Sequence, residues 1–144
     1  MPTNDLAAAI EESRAGVHGV INGDHRPIMA LYSEQDDVTI GNPFGPFAKG
    51  RRNTSDTIAG AAARYADGEI VGIDRVSLHQ ADTLACLVEV ERFRVKVGGS
   101  AEPADVAIRA TTLFRREPDG WKIVHRHADP ITTPQSSESI LQRP

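Results

Sequence analysis

The sequence has one cysteine, Cys86, so no disulfide can form within the chain. A lone cysteine is most simply a small apolar side chain in a protein that stays in a reducing compartment. No apolar run is long enough to cross a bilayer, and the first residues lack the basic start and apolar core of a secretion signal. We therefore expect a cytoplasmic protein that does not associate with membranes.

An excess of positive charge is also lacking, because the net charge is −4. Basic residues occur only in local patches such as Arg51 and Arg52, which predicts that the protein does not bind nucleic acid. The sequence contains no nucleophile elbow, phosphate-binding loop or dinucleotide fingerprint. His125 and His127 could share a metal ion, but the other histidines are scattered and a complete ligand set is missing. We expect neither a metal nor a cofactor.

What is present is a change of hydrophobic period along one domain-sized chain of 144 residues. Apolar residues recur every three or four positions in the N-terminal part, which predicts three helices, at 6–21, 24–32 and 51–65. From Glu69 onward the period becomes two, which predicts strands joined by short turns, at 70–79, 83–97, 106–116 and 121–128. Such an antiparallel meander after helices indicates an α+β fold. We expect one domain at 1–131 and a flexible polar tail at 132–144.

The segment Asp37–Gly50 is where we expect a ligand site to be built. Val38 and Ile40 alternate with Thr39 as in a strand, and a Gly/Pro-rich loop then follows at Asn42. A strand that stops in such a loop places polar side chains at a rim, where a pocket can use them. A plain turn between a strand and a helix is the alternative interpretation.

Three segments together resemble a known family: Asn22–Gly45, Lys49–Arg52 at the start of a helix, and Thr112–Asp129. On these segments the chain is similar to the nuclear-transport-factor-2-like superfamily, in its SnoaL-like and ketosteroid-isomerase-like branch. The resemblance implies a cone-shaped fold and a homodimer. In that cone, N-terminal helices pack inside a strongly curved antiparallel sheet that encloses a cavity. The superfamily includes isomerases, dehydratases, epoxide hydrolases, polyketide cyclases and non-catalytic association domains, so the fold does not decide the function.

The catalytic residues of the ketosteroid isomerases are replaced in this sequence. Those enzymes have a catalytic Asp before Pro where this chain has Asn42, and an amide cannot accept and return a proton near neutral pH. Gly16 stands in place of their oxyanion-binding Tyr, and Thr111 or Thr112 in place of their carboxylic acid. The resemblance therefore predicts that steroid isomerisation is absent, although Asn42 can still orient a ligand.

His127 and His125 are the candidate catalytic residues. They lie two apart on the last strand, so both point to one face. A turn that pairs Arg116 with Trp121 sets the register of the last two strands. Thr112 then opposes His125, and both histidines lie on the face that the resemblance makes the cavity wall. An imidazole titrates near neutral pH and can act as a general acid or base. A pair of structural histidines is the alternative.

The candidate ligand-binding residues are polar or aromatic side chains that can reach the cavity. The tyrosines among them are otherwise core residues with a hydroxyl group to satisfy. Glu89 and Glu91, together with Arg92 and Arg94, are interpreted as an exposed strand surface, so no carboxylate is assigned to the cavity. The ligand-binding candidates are Asn42, Tyr32, Tyr65, Thr112 and Phe44.

The sequence is compatible with two functions. One is an isomerase, dehydratase, cyclase or hydrolase that acts on a small, largely apolar molecule with a histidine as acid or base. The other is a non-catalytic module that binds a ligand in the cavity or associates through the outer face of the sheet. The long strand Thr83–Val97 has apolar residues on both sides, which predicts a second covering layer and hence a homodimer.

Overall fold

The computed structural model describes residues 5–143. Residues 130–143 are exposed and include one turn of 3₁₀ helix, Ser137–Ile140. None of the described helices is long and apolar enough to cross a membrane. The helices are α1 (Leu6–Val20), α2 (Arg26–Leu31) and α3 (Arg51–Ala62). The strands are β1 (Thr39–Gly41), β2 (Ala48–Lys49), β3 (Tyr65–Gln80), β4 (Leu84–Val97), β5 (Ala104–Glu117) and β6 (Gly120–Asp129).

The six strands form one open sheet in the order β2-β1-β6-β5-β4-β3. Strands β3 to β6 make the expected antiparallel meander, and the α+β class is confirmed. The sheet is mixed rather than wholly antiparallel, because β1 pairs in parallel with β6. A parallel pair needs a long connection, and here α3 and three strands of the meander lie between its two members. This pairing places the loop after β1 beside the end of β6.

The helices cover one face of the sheet and bury the core there. Successive inward side chains of β4, such as Leu87 and Phe93, are at most 4% exposed. Trp121 at the start of β6 is 3% exposed and belongs to this core. Helices α1 and α2 approach closely because Gly16 has no side chain. A Cβ at that position would lie 2.7–2.9 Å from atoms of Ile28.

Strand β3 begins earlier than the sequence predicts. Helix α3 ends at Ala62 rather than near residue 65, and Asp67 and Gly68 lie inside the strand at a register shift. Gly68 is pressed against Ile21, since a Cβ there would lie 2.6 Å from that residue. The Asn22 side chain also bonds both backbone groups of Gly68, at 2.9 and 3.1 Å. These contacts between distant segments fix the strand start, which local periodicity does not report.

One extra residue in β6 changes which side chains face the helices. Phe114 pairs with Ile123 but Leu113 pairs with His125, so Val124 has no partner of its own and forms a β-bulge. The predicted opposition of Thr112 and His125 is therefore wrong. Beyond the bulge, Thr112 opposes Arg126, and Ala110 opposes Ala128 rather than His127. Because side chains alternate along a strand, Arg126 faces the helices and the two histidines face outward.

Candidate functional site

A cavity of about 80 Å³ lies between the helices and the inner face of the sheet. Its walls are mostly apolar and come from all three helices and from strands β4, β5 and β6, as Val17, Ile28, Ile58, Phe93 and Ile108 illustrate. Four of the lining side chains carry polar groups: Asn42, Tyr65, Glu91 and Arg126. An apolar pocket with a few convergent polar groups is the usual form of a small-molecule site.

Glu91 and Arg126 form a buried ion pair on the cavity wall. The Arg126 nitrogens Nη2 and Nη1 lie 2.5 and 3.1 Å from the two carboxylate oxygens, so the contact is bidentate. The Thr112 hydroxyl lies 3.4 Å from Nη1 and supports the same guanidinium. Burial alone would lower the pKa of Arg126, but the charge and hydrogen bonds of Glu91 outweigh it and the pKa is raised. The guanidinium therefore stays charged inside the protein.

A second ion pair, with a buried carboxylate, lies next to the first along β4. Glu89 Oε2 accepts a hydrogen bond from Arg14 Nη2 of helix α1 at 3.0 Å. The interpretation of Glu89 and Glu91 as exposed strand surface is wrong, because they are 3% and 2% exposed. Both have the same parity as Leu87 and Phe93, so alternation along β4 directs all four side chains toward the helices. That alternation is a sequence signal that could have identified the buried carboxylates.

Three of the predicted ligand-binding residues lie together at the cavity: Asn42, Phe44 and Tyr65. Asn42 Oδ1 accepts a hydrogen bond from the Phe44 N–H at 3.0 Å, which leaves Nδ2 as the group that can donate to a ligand. The Phe44 and Tyr65 rings lie 5.9 Å apart, and the Arg64 guanidinium lies 4.4 Å from the Phe44 ring centre. Burial raises the pKa of Tyr65 more than the charges of Arg64 and Arg126 lower it, so its hydroxyl remains a donor at neutral pH.

The other two predicted ligand-binding residues belong to the core. Tyr32 is 1% exposed, its hydroxyl lies 3.5 Å from the Thr39 carbonyl oxygen, and its burial raises its pKa. It does not line the cavity. Thr112 is also buried, and it contacts Arg126 instead of lining the cavity. Both residues shape the site indirectly, since one supports the core and the other supports the charged pair.

His125 and His127 lie on the outer face of the sheet, away from the cavity. His125 Nδ1 is 2.7 Å from the Thr39 hydroxyl, and the exposed Phe47 ring lies 6.2 and 5.9 Å from the two imidazoles. His127 Nε2 is 3.6 Å from Asp129, whose other carboxylate oxygen accepts from Arg109. The placement of both histidines on the cavity wall is therefore wrong, and the bulge at residue 124 is the reason. Burial, followed by the charge of His127, lowers the pKa of His125.

The part of the chain that the structure describes contains no group of three or more His, Cys, Asp or Glu side chains able to hold a metal ion. Carboxylates near the cavity are instead neutralised by arginines, as in the pairs of Glu89 with Arg14 and of Glu91 with Arg126. The polar part of the cavity is therefore built for hydrogen bonding and charge pairing.

A family model described as SnoaL-like domain matches residues 17–132. No curated protein matches the sequence. A structure from Thiobacillus denitrificans, described as a calcium/calmodulin-dependent protein kinase type II association domain, is similar at 21% identity and a TM-score of 0.74, over 92% of this chain and 99% of that chain.

Two further structures have the same fold. A Streptomyces avermitilis protein described as a dehydratase of the NTF2-like family has 21% identity and a TM-score of 0.70, over 89% of this chain and 94% of its own. A ketosteroid isomerase-like protein from Erwinia carotovora atroseptica has 16% identity and a TM-score of 0.71, over 91% of this chain and 100% of its own. At these identities the similarity concerns the fold alone.

Proposed function

This chain belongs to the SnoaL-like domain family, and from that premise we propose that its cavity binds a small, largely apolar molecule. The observation that carries the proposal is the buried pair of Glu91 and Arg126 on an otherwise apolar cavity wall. A polar group of the ligand is held at this pair, and the hydrocarbon part lies against the helices.

Stability alone gives little reason for charges at this position. Removing two ions from water is costly, and well-packed apolar residues of similar volume are often as stable or more stable than a buried ion pair. The guanidinium has five N–H donors, more than the three contacts that Glu91 and Thr112 make with it. A cavity that retains such a pair has directional groups to offer a ligand.

The same geometry gives the cavity one group that can accept a proton, the Glu91 carboxylate. The Asn42 amide cannot do so, and the two histidines lie on the other face of the sheet. Within this proposal Glu91 is the general-base candidate, while Tyr65 and Asn42 hold the substrate. An isomerase, dehydratase, cyclase or hydrolase reaction of an apolar substrate fits these roles.

Filling the cavity tests the binding proposal. The probes are neutral single-ring compounds and six- to eight-carbon alcohols, and binding is measured by calorimetry and thermal shift. Ala61 lines the cavity, so Ala61→Leu is expected to abolish binding while the protein stays folded. Ala59→Leu, on the same helix but outside the cavity lining, is the matched control and should bind normally. Equal binding by the parent and Ala61→Leu would show that the probes occupy another place.

A second variant, Glu91→Gln, tests whether the charged pair on the cavity wall binds the polar group of the ligand. Glu91→Gln keeps the shape of the side chain and removes its charge and its ability to act as a base. We expect weaker binding of probes that carry a hydroxyl or carbonyl group, and little change for purely hydrocarbon rings. Because Arg126 loses its charged partner in this variant, a circular dichroism spectrum and urea denaturation of Glu91→Gln must first show that it is folded under the binding conditions. Identical losses for both kinds of probe would place the ligand's polar group elsewhere.

A second candidate function is association, and the outer face of the sheet favours it. Cys86, Val88, Val90 and Leu113 form a half-exposed apolar patch there. Ion pairs such as Arg92 with Asp74 and Arg94 with Asp105 lie on the same face. An apolar strip bordered by neutralised charges is typical of a protein interface. We propose that two copies of the chain pair through this patch.

A further inference from the structure

We propose that the natural ligand is an amphiphile that carries, besides the polar group held at the Glu91–Arg126 pair, one anionic group, such as a carboxylate, held outside the cavity at Lys49 and Arg64. Its apolar part passes Phe44 and enters the cavity. This inference rests on the proposed binding function and adds the chemical class of the ligand.

A second, larger space adjoins the cavity. It is a groove of about 560 Å³ between the 42–49 loop and helix α3, and we refer to it as the mouth groove. Asn42, Phe44 and Ala61 line both the mouth groove and the inner cavity, so the two spaces meet at these three residues. A molecule longer than the inner cavity can therefore extend into the groove without leaving the protein.

The two spaces differ in chemistry. The inner cavity is apolar except at its few polar groups, whereas polar residues of α3 face the mouth groove at steps of three and four along one side of the helix. Gly60 continues that side near the end of the helix, and a Cβ there would meet no atom within 4 Å. The groove is therefore open beside Gly60 and polar at its walls, which suits a hydrated head group. Its polar residues on α3 are Asn53, Asp56 and Thr57, and Arg64 follows the end of that helix.

Positive charge predominates in the segment that builds the mouth groove. Residues 42–64 contain four basic residues, at 49, 51, 52 and 64, and one acidic residue, Asp56, a net charge of +3 in a chain of net charge −4. Arg51 is engaged, because its guanidinium donates to the carbonyl oxygens of Met29, Tyr32 and Ser33. A local positive field in an acidic protein attracts an anion to this opening.

Lys49 and Arg64 are the cations that line the groove. Neither forms an ion pair with any other residue in the described part of the chain. Most other arginines of the protein do form such pairs, for example Arg109 with Asp129. An exposed guanidinium that is not neutralised can bind a carboxylate through two parallel hydrogen bonds.

Phe44 is the residue at the junction of the two spaces. Its half-buried ring contacts the Arg64 guanidinium and the Tyr65 ring. A cation–π contact at an exposed site is weak, so the ring can move aside at little cost. The same movement frees the guanidinium, which can then bind the anionic group of the entering molecule. Entry of the apolar part and capture of the head group are coupled at Phe44.

Octanoate and 1-octanol test this inference because they share a chain length and differ in the charged group. We expect the parent protein to bind octanoate roughly tenfold more tightly than the alcohol at low ionic strength, about the contribution of one charge-assisted hydrogen bond. Arg64→Gln is expected to remove that preference and leave the affinity for 1-octanol unchanged. Arg52→Gln makes the same charge change on α3 outside the groove and should keep the preference.

The outcomes separate this inference from the proposed binding function. Binding of 1-octanol with no preference for octanoate would overturn the inference and leave the binding function standing. Equal effects of Arg64→Gln and Arg52→Gln would also overturn it. The preference for octanoate would then come from the net charge of the protein and not from a contact with Arg64. Absence of binding by both probes would overturn the two proposals together. Arg64→Lys, which keeps the charge but not the paired donors, is expected to retain part of the preference.

Discussion

Arg126 shows how one residue can set the character of a site. Its side chain is 14% exposed, yet its charge is retained because the Glu91 carboxylate binds both terminal nitrogens. Thr112 adds a third contact to the same guanidinium. Each charge is tolerated inside the protein only while its partner is present, since an unpaired buried ion is strongly destabilising.

The pair should therefore respond to substitution as a unit. Glu91→Leu or Arg126→Met alone is expected to lower the free energy of unfolding by roughly 3–5 kcal/mol, because each leaves a buried charge without its partner. The double variant Glu91→Leu/Arg126→Met is expected to lose less than either single variant. Urea denaturation of all four proteins measures this coupling. Additive losses in the double variant would contradict it.

His125 should make stability depend on pH. Burial lowers its pKa in the folded protein below the ordinary value of 6.5, so the unfolded chain binds the proton more readily. The stabilising contribution is complete above pH 6.5 and is lost as the pH falls through the lower folded pKa. Urea denaturation between about pH 7 and 5 should give a steeper loss for the parent than for His125→Gln. Equal slopes for the two proteins would contradict this role of His125.

At the scale of elements, α1 and α3 each contain a glycine, but only the one in α1 is required for close packing. Gly16 lets α1 pack against α2, because atoms of Ile28 occupy the space that a side chain would need. Gly60 lies near the end of α3 beside open space. The same substitution should therefore have opposite effects at these positions, since packing opposes it in one helix and helix propensity favours it in the other.

Gly16→Ala is expected to destabilise the protein by roughly 1–3 kcal/mol, because the new methyl group must displace Ile28 and its backbone. Gly60→Ala is expected to stabilise it by up to about 1 kcal/mol, since alanine favours the helix and meets no other atom. Thermal and urea unfolding of both variants measure the difference. A stabilising effect at Gly16 would mean that the two helices can separate without loss of packing.

At the scale of the whole molecule, the sheet has two different faces. The inner face carries the helices, the cavity and the buried charged pairs, whereas the outer face carries the histidines, Phe47 and the half-exposed apolar patch that includes Val88 and Val90. A strand such as β4 with apolar residues on both sides is stable when both faces are covered. Pairing of two outer faces would supply that cover.

Sedimentation equilibrium tests the proposed homodimer. We expect the parent protein to be a dimer at micromolar concentration, and Val90→Lys to shift it to monomer, because a charge in the apolar patch would be buried at the interface. Ala15→Lys adds the same charge on the exposed side of α1 and should leave the dimer intact. A parent protein that sediments only as a monomer would exclude this assembly.

Much of the fold can be predicted from the sequence, because hydrophobic periodicity is a local property. The change to a period of two at Glu69 predicts the order of helices and strands, and the motif Thr112–Asp129 indicates the family. The parallel pairing of β1 with β6 cannot be read in this way, since nothing in either segment specifies a partner so far along the chain. The early start of β3 at Tyr65 likewise depends on contacts with Asn22, in the turn that follows α1.

The candidate site can be predicted only in part. Asn42, Phe44 and Tyr65 follow from the Gly/Pro-rich loop after a short strand and from the aromatic residues near it, and all three line the cavity. The burial of Glu91 could have been predicted from the sequence, since Glu91 lies two residues from the apolar Phe93 and points to the same face of the strand. Its acidity made an exposed position the simpler interpretation, because charged residues are rarely buried without a partner.

The sequence by itself determined the class of fold, the family and the loop that forms one side of the cavity, since each depends on residues close together in the chain. Only the tertiary structure decided which residues of β6 face that cavity. The bulge at Val124 adds one residue, and a shift of one residue in a strand turns every later side chain to the opposite face. The tertiary structure also decided that Glu89 and Glu91 could be buried. Their neutralising partners, Arg14 and Arg126, lie 75 and 35 residues away and meet them only in the folded protein.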